Sequence, residues 1–498
     1  MLEKYCDILV IGNELPGLVT AAFLARRGLS VQVVDSDLFL DHPKMPDPVC
    51  LTNIHSKLLR SILGRLNCPE ITIQNFLNRD AILQFIFPHH RIDICNDPLN
   101  YYEEIEREFG RFKNKMRFFY EEQTKLRHQT DTNELFQKLI PSSWKERRQF
   151  KKFVEEQSLD NKSADFNELT SLSPRIKSFL KAQYLLAYQQ VSAEPFACQI
   201  SELLNPGDGE IFGVYPGVNV LKNILKDRIT QYDGFVKKKI QISELLFRNG
   251  IVEGIQLDDR CILSKYVIWN SSLLKLAELL PQKLRFRRLK KICQKSSFDF
   301  HWFTTRFSVD KKFIPHPMKS NVVLINDSHK ELVDDNFLYL QILDKKNDPR
   351  CLINVNFLLP PSALNEEEDF FIPYIDSFKK QLVQLLPFCE KSLSLEFPTK
   401  NLNQPLDTLF PLNENDFEIF KHSARQNGVA VQAEEKFTEL FDLHYKTKAP
   451  NFYISHPKIF TSFGLESKLV LGLKITDLIW QEVEKDKKRA MKSERRIA

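Results

Sequence analysis

Glycine is scarce in this 498-residue chain, with 15 residues where ordinary usage of about 7% would supply roughly 35. A protein whose backbone approaches phosphates at many points uses glycine freely, so the scarcity points to few such approaches. A drift toward Phe, of which there are 39, Lys and Asn gives the same counts. Metal-ligand spacings are lacking too. Nine cysteines form no C-x-x-C pair, and eleven histidines include one adjacent pair, His89-His90, but no H-x-x-x-H. This argues against a disulfide framework or zinc site, favours buried reduced thiols, and leads us to expect no structural metal. No window reaches the ~18 apolar residues needed to cross a bilayer. The chain enters its first strand without the apolar core of a signal peptide, so a cytoplasmic location is expected. Charge of one sign is not in large excess: the formal net charge of +5 does not point to nucleic acid. The exception is the basic tail at 483–498, with Lys485, Lys487, Lys488, Arg489, Lys492, Arg495 and Arg496. It reads first as a solvated helix end and second as a peripheral contact with an anionic membrane.

What is present is ordinary for a folded protein, at 43% hydrophobic and 27% charged residues, and the length allows two or three domains. The strongest pattern is at the start. Asp7-Ile8-Leu9-Val10-Ile11 reads as a strand, Gly12-Asn13-Glu14-Leu15-Pro16-Gly17 as a turn into a helix, and Val31-Gln32-Val33-Val34 as a second strand ending at Asp35. This is the layout of a dinucleotide-binding βαβ unit. Leu18, Ala21, Ala22, Leu24 and Ala25 form a small, apolar helical stripe suited to packing on a parallel sheet, and Pro16 sits where its missing N–H costs little. Asp35 lies 23 residues after Gly12, near the spacing expected of a carboxylate that accepts from a ribose hydroxyl. In the G-x-G-x-x-G pattern Gly12 and Gly17 fill the first and third positions, while Glu14 stands at the second. There it brings a Cβ and a negative charge to the place an anionic ligand approaches most closely. Two outcomes follow for its carboxylate: it turns outward and leaves room for a pyrophosphate, or it points back at the helix N-terminus and takes the anion site itself.

Further along, Leu83 to Pro88 and Arg91 to Ile94 look like paired strands. A helical region runs from Pro98 to about Tyr188, with Gln157 to Pro174 as a polar, flexible crossing. A turn at Ile211 to Gly217 opens a helix, followed by strands at Phe235 to Phe247, Ile251 to Leu257 and Tyr266 to Trp269. Strand-like stretches and helices alternate from about Lys290 to Lys446. A last strand, Asn451 to His456, leads to a helix opened by Gly464.

The order of these pieces resembles the phytoene desaturase and amine-oxidase-like group of FAD-dependent oxidoreductases, within the NAD(P)/FAD-binding Rossmann superfamily. Phe87-Pro88-His89-His90-Arg91-Ile92-Asp93-Ile94 is similar to that group's "FPDHRIDL" strand pair, and Tyr215-Pro216-Gly217-Val218-Asn219 stands at its Y-P-x-G-G turn. Val267-Ile268-Trp269-Asn270-Ser271 matches its "VVSNA" strand end. By offset from Gly234, Ile242 looks similar to the residue whose backbone holds the adenine. Ser455-His456 occupies the place of the group's last-strand Gly-Asp, and Phe460 to Glu466 keeps one glycine, Gly464, of its glycine-rich turn.

The resemblance implies an α/β fold, a Rossmann-like FAD/NAD(P)-binding domain with a second, α+β substrate domain. The first would comprise 1–84, 205–285 and 445–482, the second 85–204 and 286–444, and 483–498 the tail. It implies FAD contacts from Gly12, Asn13, Glu14, Gly17, Asp35, Ile242, Ser455, His456, Gly464 and Leu465. It further implies an oxidoreductase acting on an apolar, isoprenoid- or lipid-like small molecule. The alternative on the same scaffold is a flavin-free binding or escort protein, by analogy with Rab escort and GDP-dissociation-inhibitor proteins. Flavin chemistry is carried by the ring, so no catalytic residue is demanded. His301, Trp302, Arg306 and Tyr215 read either as cavity-lining groups or as members of packed strands. Phe298, Phe300, Phe303 and Phe307 read as an apolar tunnel or as core.

Overall fold

The computed structural model describes residues 4–35, 51–52, 57–78, 83–94, 97–129, 138, 140–141, 143–192, 194–201, 212–214, 217–238, 240–257, 260–295, 298–344, 347–399, 412–426, 428–432, 436–437, 445–457, 460 and 463–497.

The apolar run at the start of the chain becomes the central strand, Lys4–Ile11, of a seven-stranded sheet. Val31–Val34 and then Phe235–Lys237 lie parallel to it on one side, and Cys261–Trp269 lies parallel on the other. The latter half of Cys261–Trp269 pairs in parallel with Phe452–Ile454, while its first residues take the hairpin of Glu244–Arg248 and Ile251–Gln256. Ile8, Leu9, Val10 and Ile11 are all fully buried, as expected for a parallel strand covered on both faces. Ile8, Val10, Val31 and Val33 face one core, and Leu9, Ile11, Val34 and Trp269 face another.

The helix Leu15–Arg26 is buried along nearly its whole length. It lies against the long helix Gly464–Ile497, where a Cβ on Gly472 would come 2.5 Å from the Pro16 carbonyl oxygen. The Thr20 hydroxyl donates to the Gly472 carbonyl at 2.9 Å across the same crossing.

Nine further strands form a mixed sheet in the order His90–Ile94, Leu83–Phe87, Asn321–Ile325, Phe337–Asp344, Arg350–Leu359, Phe300–Asp310, Gly428–Val431 and Gln190–Val191, with Ser394–Phe397 attached to Phe300–Asp310. Side chains alternate across it with period two. Phe85, Val323, Tyr339 and Trp302 enter the first core. Val322, Leu324, Leu338, Phe303 and Phe357 enter a separate one with residues of the helices Glu368–Leu385 and Glu414–Gln426.

Two expectations are corrected. The stretch 157–174 is not a flexible crossing but holds the helix Ala164–Leu172, capped by the Ser163 hydroxyl accepting from the Phe166 N–H and anchored by buried Phe166 and Leu169. The strand expected over Phe235 to Phe247 is two, because the chain folds past Asp35 between them: the Asp35 N–H donates to the Lys237 carbonyl and the Ile240 N–H to the Asp35 carbonyl. As its first reading expects, the basic tail is a helix end, continuing the last helix through Ile497, with a Lys265–Asp486 ion pair at 2.9 Å. Among the described residues no helix is long and apolar enough to cross a membrane.

Candidate functional site

In open parallel sheets ligands bind outside the carboxyl ends of the strands, where the strand order reverses. Here Ile11, Val34, Trp269 and Ile454 end side by side, so the residues following each of them, Gly12, Asp35, Asn270 and Ser455, lie together at the carboxyl edge of the sheet, where this rule places a ligand crevice.

Asn270, absent from the expected contact set, organises it. Fully buried, it donates its backbone N–H to the Ile11 carbonyl at 2.7 Å. Its side-chain Oδ1 accepts from the Gly17 N–H at 3.0 Å and from the Ser455 hydroxyl at 2.9 Å, and its Nδ2 donates to the Glu14 carbonyl at 2.7 Å. One amide therefore joins two strand ends to the first turn of the helix. It also explains both glycines. A Cβ on Gly12, whose φ is +115°, would lie 2.1 Å from the Asn270 carbonyl oxygen, and one on Gly17 would lie 2.2 Å from the Asn270 Cγ. The signal for Asn270 in the sequence was its place directly after a buried apolar strand.

Glu14 takes neither expected course. It occupies the N-cap of Leu15–Arg26 without a side-chain bond to the helix. Its Oε1 instead meets the Lys222 Nζ at 3.2 Å, with the two side chains only 21% and 9% exposed. Lys222 belongs to the helix Val218–Gln231, and nothing local in the sequence connects it to Glu14. Burial works against ionisation of Glu14, but Lys222, His456 and Lys468 outweigh it and hold the carboxyl below its usual range. Two lysines thus act on the one carboxylate that breaks the glycine pattern.

The other expected residues divide. Asp35 is buried at the end of its strand and Asn13 is buried in the turn, its Oδ1 without a hydrogen-bond partner among the described residues. Ser455 is fully buried and its hydroxyl points inward to Asn270. His456, half-buried, is brought to Glu14. Ile242 sends its side chain into the core with Leu9 and Val34. Gly464, at φ +57°, starts the last helix so close to the preceding layer that a Cβ would lie 2.3 Å from the Ala187 carbonyl oxygen. Leu465 beside it is core, and Lys468, one turn on, supplies the charge felt by Glu14.

His301, Trp302 and Arg306 are members of the packed strand Phe300–Asp310. His301 Nδ1 lies 2.8 Å from the Ala424 carbonyl oxygen, the Trp302 indole donates to Gln189, and the Arg306 Nε donates to Asn354. Burial pushes the Arg306 pKa down while Glu396 opposes the shift. Phe303 and Phe307 are core, Phe298 is buried and Phe300 packs against the first core. Tyr215 lies outside the described residues.

No protein-family model matches the sequence, and no curated protein matches it. Solved structures do. An oxidoreductase from Methanosarcina mazei shares 13% identity at a TM-score of 0.58, over 96% of this chain and all of that one. A putrescine oxidase variant with redesigned cofactor binding shares 13% identity at a TM-score of 0.55, over 97% of this chain and all of that one. The wild-type putrescine oxidase bound to putrescine gives 14% and 0.52 over 96% and 100%. The fold is thus the mixed α/β architecture of these oxidoreductases, followed along nearly the whole chain.

Proposed function

We propose that the crevice binds FAD and that the protein is an FAD-dependent oxidoreductase of the phytoene desaturase and amine-oxidase-like type, acting on an apolar, isoprenoid- or lipid-like substrate. The observation that carries this reading is the pairing of Glu14 with Lys222. The one residue that breaks the nucleotide motif is neutralised by a nearly buried lysine, and Lys468 and His456 stand by it. An anion at this helix N-terminus therefore meets positive potential in spite of the carboxylate. The orphaned Asn13 Oδ1 offers an acceptor to a ligand hydroxyl or N–H. Asp35 stands where a ribose hydroxyl would donate.

Bound flavin would supply two-electron acceptance from substrate. This chain's part is to place it: Gly12 and Asn13 form the turn against which the pyrophosphate would lie, Lys222 and Lys468 attract its charge, and the start of the Gly464–Ile497 helix would face the ring. The substrate class rests on the sequence resemblance.

A second reading, a flavin-free binding protein on this scaffold, is favoured by Asn270, which accounts for Gly12 and Gly17 without any ligand and already takes the Gly17 N–H. The visible absorbance of purified protein, followed by titration with excess FAD, decides between them. A stoichiometric flavin band, present at purification or after titration, supports the oxidoreductase. A colourless protein that takes up no FAD overturns it in favour of the flavin-free protein.

A further inference from the structure

A cavity of about 360 Å³ opens in the second sheet's half of the molecule, between the strands Phe337–Asp344 and Arg350–Leu359, the helix Glu368–Leu385 and the loop before Phe337. None of its lining residues belongs to the crevice described above, and its volume lies in the range of small-molecule sites. Phe337, Phe357, Tyr374 and Phe378 give it aromatic walls.

Two of its polar groups offer acceptors to a ligand. The Asp335 carboxylate accepts from the Tyr374 hydroxyl at a long 3.5 Å and has no cationic side chain in salt-bridge range among the described residues. Gln381 donates its Nε2 to the Ser377 hydroxyl at 3.3 Å, while its Oε1 is shielded from solvent and has no hydrogen-bond partner among the described residues. Aromatic faces, a carboxylate and an unused carbonyl oxygen all favour a positively charged N–H donor.

The loop is set before any ligand arrives. Asn336, 1% exposed, accepts from the Asp327 N–H and donates to the carbonyls of Asp327 and Lys330. Lys177 and Lys181 both clamp Glu331 on the same loop. Asp335 itself, exposed, holds φ at +53°, and these loop contacts place its backbone before binding.

We propose that this cavity is a second binding site, for a small organic cation with an apolar body, whose charged N–H groups meet Asp335 and the Gln381 Oε1 while the body lies among the aromatic rings. The inference does not depend on flavin binding.

Benzamidinium and its neutral isostere benzamide test it by calorimetric or ligand-observed NMR titration of the whole 498-residue chain. We expect benzamidinium to bind at least about tenfold more tightly than benzamide, as a charge-assisted contact requires. The variant Asp335→Asn, whose side chain tolerates the same positive φ, should keep the fold and erase that preference. Gln381→Leu should weaken benzamidinium severalfold and benzamide less. Absence of benzamidinium binding, equal binding of the two probes, or a preference that survives Asp335→Asn would overturn the proposal.

Discussion

Replacing Lys222 by Met leaves the Glu14 carboxylate in its largely dry position without its closest counter-charge. Breaking a fully buried ion pair costs about 3–5 kcal/mol. Glu14 keeps about a fifth of its side-chain exposure, and Lys468 and His456 remain near it, so about 1–3 kcal/mol is expected here. Glu14→Gln should cost less, because the amide oxygen still accepts from Lys222. The double variant should recover most of the loss, giving a coupling energy of about 1–2 kcal/mol between two residues far apart in sequence. Urea unfolding of the four proteins measures it. FAD affinity should respond with opposite signs: tighter in Glu14→Gln and Glu14→Gly, where negative charge is removed, and weaker in Lys222→Met, each by roughly tenfold for ~1.4 kcal/mol. Strictly additive stabilities would refute the ion pair as an energetic unit. Flavin affinity that moves in the same direction in Glu14→Gln and Lys222→Met would refute its electrostatic role.

The pair also sets an acid response. Because the folded-state pKa of Glu14 is depressed from 4.5, its stabilisation is complete above about pH 5 and lost as the pH falls through the folded value, so the stability gap between wild type and Glu14→Gln should narrow on acidification; a gap constant from about pH 7 to 3 contradicts this. Gly17→Ala drives a Cβ into the Asn270 amide and should destabilise by about 2–4 kcal/mol in chemical unfolding, with or without flavin; a neutral result would show that the crevice is not tied together by Asn270. Asn336→Ala removes three hydrogen bonds from a buried loop staple and should cost about 2–4 kcal/mol, with faster amide exchange across residues 327–335 than in wild type. Gly472→Ala should push the two crossing helices apart at the Pro16 carbonyl and lower stability by about 1–3 kcal/mol; an unchanged midpoint would mean that the crossing yields freely.

Local pattern encoded part of this architecture. The continuous apolar run at Ile8 to Ile11, the turn glycine at Gly12 and the second strand ending at Asp35 announced a parallel βαβ unit, because a strand buried on both faces needs an unbroken apolar run and the turn needs a residue tolerant of positive φ. The Phe87 to Ile94 strand pair and the helix opened by Gly464 were legible for similar reasons. Polarity misled at 157–174, where three buried apolar side chains, Leu159, Phe166 and Leu169, and one capping serine outweigh a surface composition that resembles a loop. The tertiary structure alone decided the partners. Whether Glu14 blocks or merely borders an anion site depends on Lys222, which arrives from a helix packed beside the first one. The need for glycine at positions 12 and 17 comes from Asn270 on a strand brought alongside by sheet pairing. The cavity at Asp335 exists because a loop, two strands and a distant helix meet there. Each of these is a contact between residues far apart in the chain, fixed by close packing and charge, and no periodicity along the sequence records it.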